Sequence, residues 1–241
     1  MSDEISETAK AAQELAKTAS KSLEVAEKLG AFVAKVLGEP IETAAGVLGD
    51  KLKFMRWERQ NRLIDRVHEI NHKRGLEGKE IPVPPKLAIP IIENASLEED
   101  DQLQDLWARL ISSAQDKGSV GSVRSAFIDI IKQLEVIDVR VLNAIFDGYL
   151  NAVGEKLLFA QSPGNVVFSK NNIMNALKID GQGYEDSIDN LMRVRCVRSE
   201  VKVMTSMNIG GESATIDKGY DSICLTSLGV NFVVSCVKEK I

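Results

Sequence analysis

The sequence predicts a mainly α-helical chain, with long N-terminal helices and a helical middle region followed by a winged-helix-like α+β C-terminal domain. Three observations lead there. Small and apolar residues recur at alternating gaps of four and three from Ile5 to Leu37. Helical periodicity with capping signals then continues to about Met192, after which VRSEVKVMT and ATIDKGYDSICLT alternate like strands. The 241 residues are 44% hydrophobic, enough to bury one or two cores. Shifts in composition divide them into 1–79, 80–135 and 136–241.

The N-terminal seam runs through Ile5, Ala9, Ala12, Ala16, Ala19, Leu23, Ala26, Gly30, Val33 and Leu37, the period of a coiled coil. A second stripe, Leu15, Val25, Leu29, Phe32 and Val36, widens the apolar face toward the C-terminal half. Alanine and glycine bury little area but permit close backbone approach, so this helix needs a partner helix. Ala12, Ala16, Ala19, Leu23, Ala26, Gly30 and Val33 are the candidate seam contacts, within the chain or between copies. Pro40 suits the first position of a second helix that ends at Gly75, and an antiparallel pair is expected. From Lys51 to Arg74 this helix carries eight Lys/Arg against three acids. Lys51, Lys53, Arg56, Arg59, Arg62 and Arg66 are therefore candidates for a protein or anionic-membrane surface. The competing expectation is a solvated face that pairs with acids elsewhere, since the whole chain has a formal charge of -5.

GLEGKEIPVPPK reads as a linker, and Pro84 and Pro85 introduce a short helix, residues 86–94, with Pro90 inside it. Next, Glu98, Glu99, Asp100 and Asp101 crowd together. Ser96 with Glu99 fits a capping box, and the acids suit the positive end of a helix dipole. Consecutive carboxylates on a helix diverge, so they make a poor metal or acid/base pair. Leu103, Leu106, Trp107, Leu110 and Ile111 form the buried face of that helix. Another is expected over 122–134, burying Phe127, Ile130, Ile131 and Leu134. In the last hundred residues Asp138 and Ser169 are candidate N-caps, Thr226 begins a last short helix, and a helix over 185–192 precedes the strands. The strands are expected to join at Gly210 and Gly211. Glu185, Asp186 and Asp189 on the helix that would enter a DNA groove disfavour sequence-specific DNA readout, where phosphate contacts supply affinity.

His68, Glu69 and His72 spell HExxH, the spacing by which two histidines one turn apart hold zinc beside a glutamate base. The charged flanks Asp65, Arg66, Lys73 and Arg74, and the absence of an upstream strand, favour an incidental match; Glu93 is the one third-ligand candidate. No catalytic residue and no cofactor are expected. Cys196, Cys224 and Cys236 lack metal-ligand spacing and read as buried, reduced thiols. The acidic N-terminus and the lack of a long uncharged apolar run predict a cytoplasmic protein, with peripheral inner-membrane association as the alternative.

The run PPKLAIPIIENASLEEDDQLQDLWARLISSA, with LGDKLKFMRWERQNRL before it and ICLTSLGVNFVVSC near the end, resembles the bacterial abortive-infection alpha family. In the last stretch the match rests on Leu225, Thr226, Gly229 and Phe232. The resemblance covers most of residues 45–236. It implies protection of a bacterial population by disabling the infected cell, and it carries over no catalytic residues. The expectation is thus a non-enzymatic anti-phage protein acting through a protein partner or self-association, with an anionic membrane surface as a further contact. The phage trigger is not legible. A winged-helix nucleic-acid-binding regulator is the alternative, and an HExxH zinc hydrolase the remote one.

Overall fold

The structure is a computed structural model that describes residues 13, 17, 20, 24, 27–40, 57–119, 123–154, 162–200, 203–208, 211–216 and 221–237. It is mainly helical, and the chain divides into two compact units, Met1–Val120 and Gly121–Ile241.

In the first unit, α1 (27–37) is followed by α2 (Trp57–Lys73), α3 (Pro85–Leu97) and α4 (Asp101–Ala114). Residues 41–56, including the expected helix start after Pro40, lie outside the described residues. The core is built from the stripes that periodicity marks. Leu29, Phe32, Val33 and Val36 come from α1, Leu63, Ile64 and Val67 from α2, Ile91 and Ile92 from α3, and Leu106, Trp107, Leu110 and Ile111 from α4. Lys28 meets Asp65 at 2.8 Å and the Phe32 ring meets His68. Both contacts ascend along both helices, so α1 and α2 run in the same sense here, in place of the expected antiparallel pair.

The acidic cluster acts differently from the expected capping box. Ser96 is buried within α3, its hydroxyl donating to the Ile92 carbonyl at 2.7 Å. The N-cap of α4 is Asp100, which accepts from Gln102 N at 2.7 Å and Leu103 N at 3.1 Å. Ser96 is drawn into α3 because the apolar positions Ala88, Ile91, Ile92 and Ala95 keep that helix packed through its last turn. Gly75 does end α2. At φ +63° it takes the left-handed conformation that disfavours other residues, while Leu76 N donates to Asn71 O at 2.9 Å and Gly75 N to His72 O at 3.0 Å.

The polar side of the α2–α4 contact carries matched charges. Arg59 pairs with Glu99, Arg62 with Asp101, Arg66 with Asp105 at 2.5 Å and Arg74 with Asp116 at 3.5 Å. The partners ascend together, so α2 and α4 run parallel and α3 is the returning element. Gln104, fully buried, ties all three by donating to Arg59 O at 3.1 Å and Ala95 O at 3.3 Å. Exposed ion pairs are worth roughly 0–1 kcal/mol each, whereas burying one large apolar side chain is worth about 1.5–3 kcal/mol. The apolar seam therefore holds the helices together, and the outer three pairs chiefly set their register. Arg74 and Asp116 are different, with side chains only 11% and 7% exposed.

The second unit opens with α5 (Ser125–Ile131) and α6 (Val136–Val153), then a 3₁₀ turn (Pro163–Asn165), β1 (Phe168–Ser169), α7 (Lys170–Leu177), α8 (Gly181–Arg193) and β2 (Val197–Ser199). The hairpin β3 (Val203–Asn208) and β4 (Gly211–Ile216), then β5 (Ser222–Leu225) and α9 (Ser227–Cys236), complete it. The unit boundary falls inside the stretch 80–135 that composition sets apart. α5 belongs with the later elements, its Phe127 ring packing edge-on against Phe232 of α9 at 5.6 Å. Asp138 is the third residue of α6, accepting from Glu135 N at 2.8 Å, and Glu135 is the N-cap in its place. Asp138 also accepts from Asn190 Nδ2 at 2.5 Å, which joins α6 to α8. Ser169 caps α7 as expected, and Thr226, expected to begin the last helix, is the N-cap of α9. α8 starts at Gly181, capped by Asp180, four residues before the expected start.

The two expected strands each divide. β5 lies between β1 and β2, antiparallel to both, with Val197 opposite Leu225 and Phe168 opposite Ile223. β3 and β4 form a separate two-stranded ladder from Val203–Ile216 to Asn208–Gly211. α9 then packs against the end of β2. Thr226 N donates to Cys196 O at 3.0 Å, and the Thr226 hydroxyl donates to Arg195 O at 2.6 Å while accepting from Gly229 N at 2.9 Å. A Cβ on Gly229 would stand 2.0 Å from Cys196 O, so only glycine allows this approach. The three cysteines are buried and unbridged, and burial pushes the Cys196 thiol up to about 12.

Two carboxylates should separate by environment. Asp116→Ala strands the largely buried Arg74 charge and should cost about 3 kcal/mol, whereas Asp100→Ala removes one cap and should cost about 1 kcal/mol. Urea unfolding of the two variants against the parent checks the order; equal losses would refute it.

Candidate functional site

Of the basic candidates, Lys51, Lys53 and Arg56 lie outside the described residues. The other three, Arg59, Arg62 and Arg66, are the arginines of the α2–α4 charge ladder. Arg59 Nη1 also donates to Leu97 O at 3.0 Å, closing the end of α3. Burial raises the Asp105 carboxyl, although Arg66 opposes the shift. These guanidiniums are committed to carboxylates of the same unit. Arg74 is held most closely, donating to Ser112 Oγ at 2.8 Å and Ser113 Oγ at 3.2 Å beside Asp116. Of the seam candidates, Ala12, Ala16, Ala19, Leu23 and Ala26 lie outside the described residues. Gly30 is half-buried and Val33 buried.

The HExxH residues stand on the exposed face of the last turns of α2. His68 is exposed and packs edge-on against Phe32, with ring centroids 6.3 Å apart. His72 Nδ1 is 3.0 Å from Glu77, across the Gly75 turn. Glu69 pairs with Lys73 at 2.8 Å; the hydrogen bond and charge of Lys73 hold its carboxyl below the usual carboxylate range. A metal-activated general base works best with its pKa raised toward neutrality, and Glu69 is shifted the other way. Among the described residues no group of three His, Cys, Asp or Glu side chains stands together as a metal site.

The structure also forms a cavity of about 430 Å³ in the second unit, where the Ser162–Gly164 turn, the end of α8, β2 and the start of α9 meet. Met192, Val197 and Leu225 give it an apolar side, and Arg195 and Arg198 a cationic one. Arg198 is fixed, its Nε donating to Cys224 Sγ at 3.1 Å and its Nη2 lying 3.6 Å from Glu200. The arginines at the end of the third helix are visible in the sequence as a charge reversal after Glu185, Asp186 and Asp189. Their convergence with a turn thirty residues earlier is not, because no local pattern joins those segments.

Among the described residues no helix is long and apolar enough to cross a membrane. Comparison with known proteins finds no matching curated protein and no matching solved structure. A family model does match, over residues 58–236, which takes in α2 through α9 and leaves α1 outside. The matched span includes the Arg–carboxylate ladder, the cavity and the Thr226–Gly229 junction. Covering most of the sequence, the match shows that the chain belongs to the abortive infection alpha family.

Proposed function

We propose that this chain is a non-enzymatic anti-phage protein that acts by abortive infection through protein contacts, with self-association as one route. The family match over 58–236 carries this reading. The HExxH residues lend it support, since Glu69 and His72 are engaged in surface pairs with Lys73 and Glu77. Protein contact is favoured over inner-membrane association because Arg59, Arg62 and Arg66 are neutralised by α4 and its approach. That arrangement weakens their pull on anionic headgroups. Plaque formation and survival with and without the gene, across a broad phage panel, test the role. The expected result is fewer plaques with poor survival at high multiplicity of infection. Unchanged plating across the panel would overturn it.

A second reading concerns the C-terminal unit. The order α6-β1-α7-α8-β2-β5, with β5 between β1 and β2, supports a winged-helix assignment in which β3 and β4 form an extended wing. In that frame α8 takes the place of the groove-entering helix, and it carries Glu185, Asp186 and Asp189. Lys170 is bound to Glu185 at 2.5 Å and Gln182 to Asp186 at 2.8 Å. Acids in that position favour a protein partner over phosphates. Fluorescence anisotropy with duplex DNA between 50 and 300 mM salt should give weak binding with a shallow salt slope. Tight binding with a steep slope would put nucleic-acid regulation first.

A further inference from the structure

The cavity of the second unit plays no part in the anti-phage reading, and its chemistry is specific enough to carry a separate assignment. We propose that it binds a small phosphorylated molecule of nucleotide size. At about 430 Å³ it falls within the range of small-ligand sites, roughly 300–1,000 Å³. It is also two-sided. Met192 offers an apolar edge for a flat ring beside the buried Val197 and Leu225, while Arg195 and Arg198 line the same space, which no acidic side chain lines among the described residues.

The two arginines differ in a way that suits anion capture. Arg198 is held in place by Cys224 and Glu200, which leaves part of its fork of donors for a ligand. The Arg195 guanidinium has no hydrogen-bond or ion-pair partner among the described residues. Its backbone is nevertheless fixed, with the Arg195 N–H donating to Met192 O at 2.9 Å and its carbonyl accepting from Thr226. One placed and one uncommitted guanidinium can take different oxygens of one phosphate, with charge-assisted hydrogen bonds stronger than neutral ones. Ser162 and Ser227 add hydroxyl donors on the same lining. A carboxylate has only two oxygens and would leave part of this donor set unused. A phosphate attached to a planar, weakly polar body uses both sides of the cavity.

Isothermal titration calorimetry of the full chain with AMP, adenosine and inorganic phosphate tests the assignment. AMP should bind measurably below millimolar concentration, more tightly than either adenosine or inorganic phosphate. Arg195→Gln should weaken AMP at least tenfold. Because the Arg195 side chain is exposed, its melting temperature should not move; Arg195→Lys, which keeps the charge, should lose less. Absence of AMP binding, equal affinity for adenosine or for inorganic phosphate, or an AMP affinity unchanged in Arg195→Gln would overturn the proposal. The plating assay reads the family role independently, so either result can fail alone.

Discussion

The buried pair Arg74–Asp116 is the interaction on which the first unit depends. A guanidinium withdrawn from water is costly unless its donors are met. Here Ser112 and Ser113 meet Nη1 and Asp116 stands beside Nη2, leaving Nε without a partner among the described residues, while Asp116 in turn accepts from Gly118 N at 2.8 Å and Ser119 Oγ at 3.2 Å. Because Arg74 closes α2 and Asp116 follows α4, this pair fixes where the two helices end relative to one another. Asn71, buried one turn before, extends the same constraint by donating to Gln115 Oε1 at 3.0 Å. Once the ends are fixed, Arg66 falls opposite Asp105, Arg62 opposite Asp101 and Arg59 opposite Glu99. The acidic cluster ahead of α4 thus has two uses: Asp100 caps the helix, and its neighbours answer the positive face of α2.

The second unit rests on a steric constraint of another kind. α9 can lie against the end of β2 only because Gly229 has no side chain. Thr226 uses both the donor and the acceptor capacity of its hydroxyl to hold that junction, and Phe232 then reaches Phe127. The same junction sets one wall of the cavity, since Arg195, Leu225 and Thr226 all border it. Packing and the proposed ligand site therefore share residues, and a disturbance at Gly229 would reach both.

Features with a local cause were legible in the sequence. The Leu103–Ile111 face, the Gly75 stop, the Ser169 cap and the helix start at Thr226 each rest on residues within one or two turns. The errors arise where local signals compete. Ser96 and Asp100 are both good caps, and only the packing of α3 decides between them. Asp138 and Glu135 compete in the same way at α6. The alternating pattern after Arg198 is real, but it does not reveal that β5 pairs with both β2 and two-residue β1 while β3 and β4 pair with each other. The parallel alignment of α2 and α4 joins charges about forty residues apart, for which periodicity offers no signal. The cavity was invisible for the same reason.

The central structural claim is that the basic face of α2 is one side of an internal helix contact. Reversing Arg59, Arg62 and Arg66 to Glu, reversing Glu99, Asp101 and Asp105 to Arg, and combining both sets tests it directly by thermal unfolding. Each reversed set alone should melt below the parent, and the combined swap should recover most of the loss. If the combined swap melts as low as either set, or if neither set alone changes the melting temperature, the face is not held by those acids and the account of the first unit is wrong.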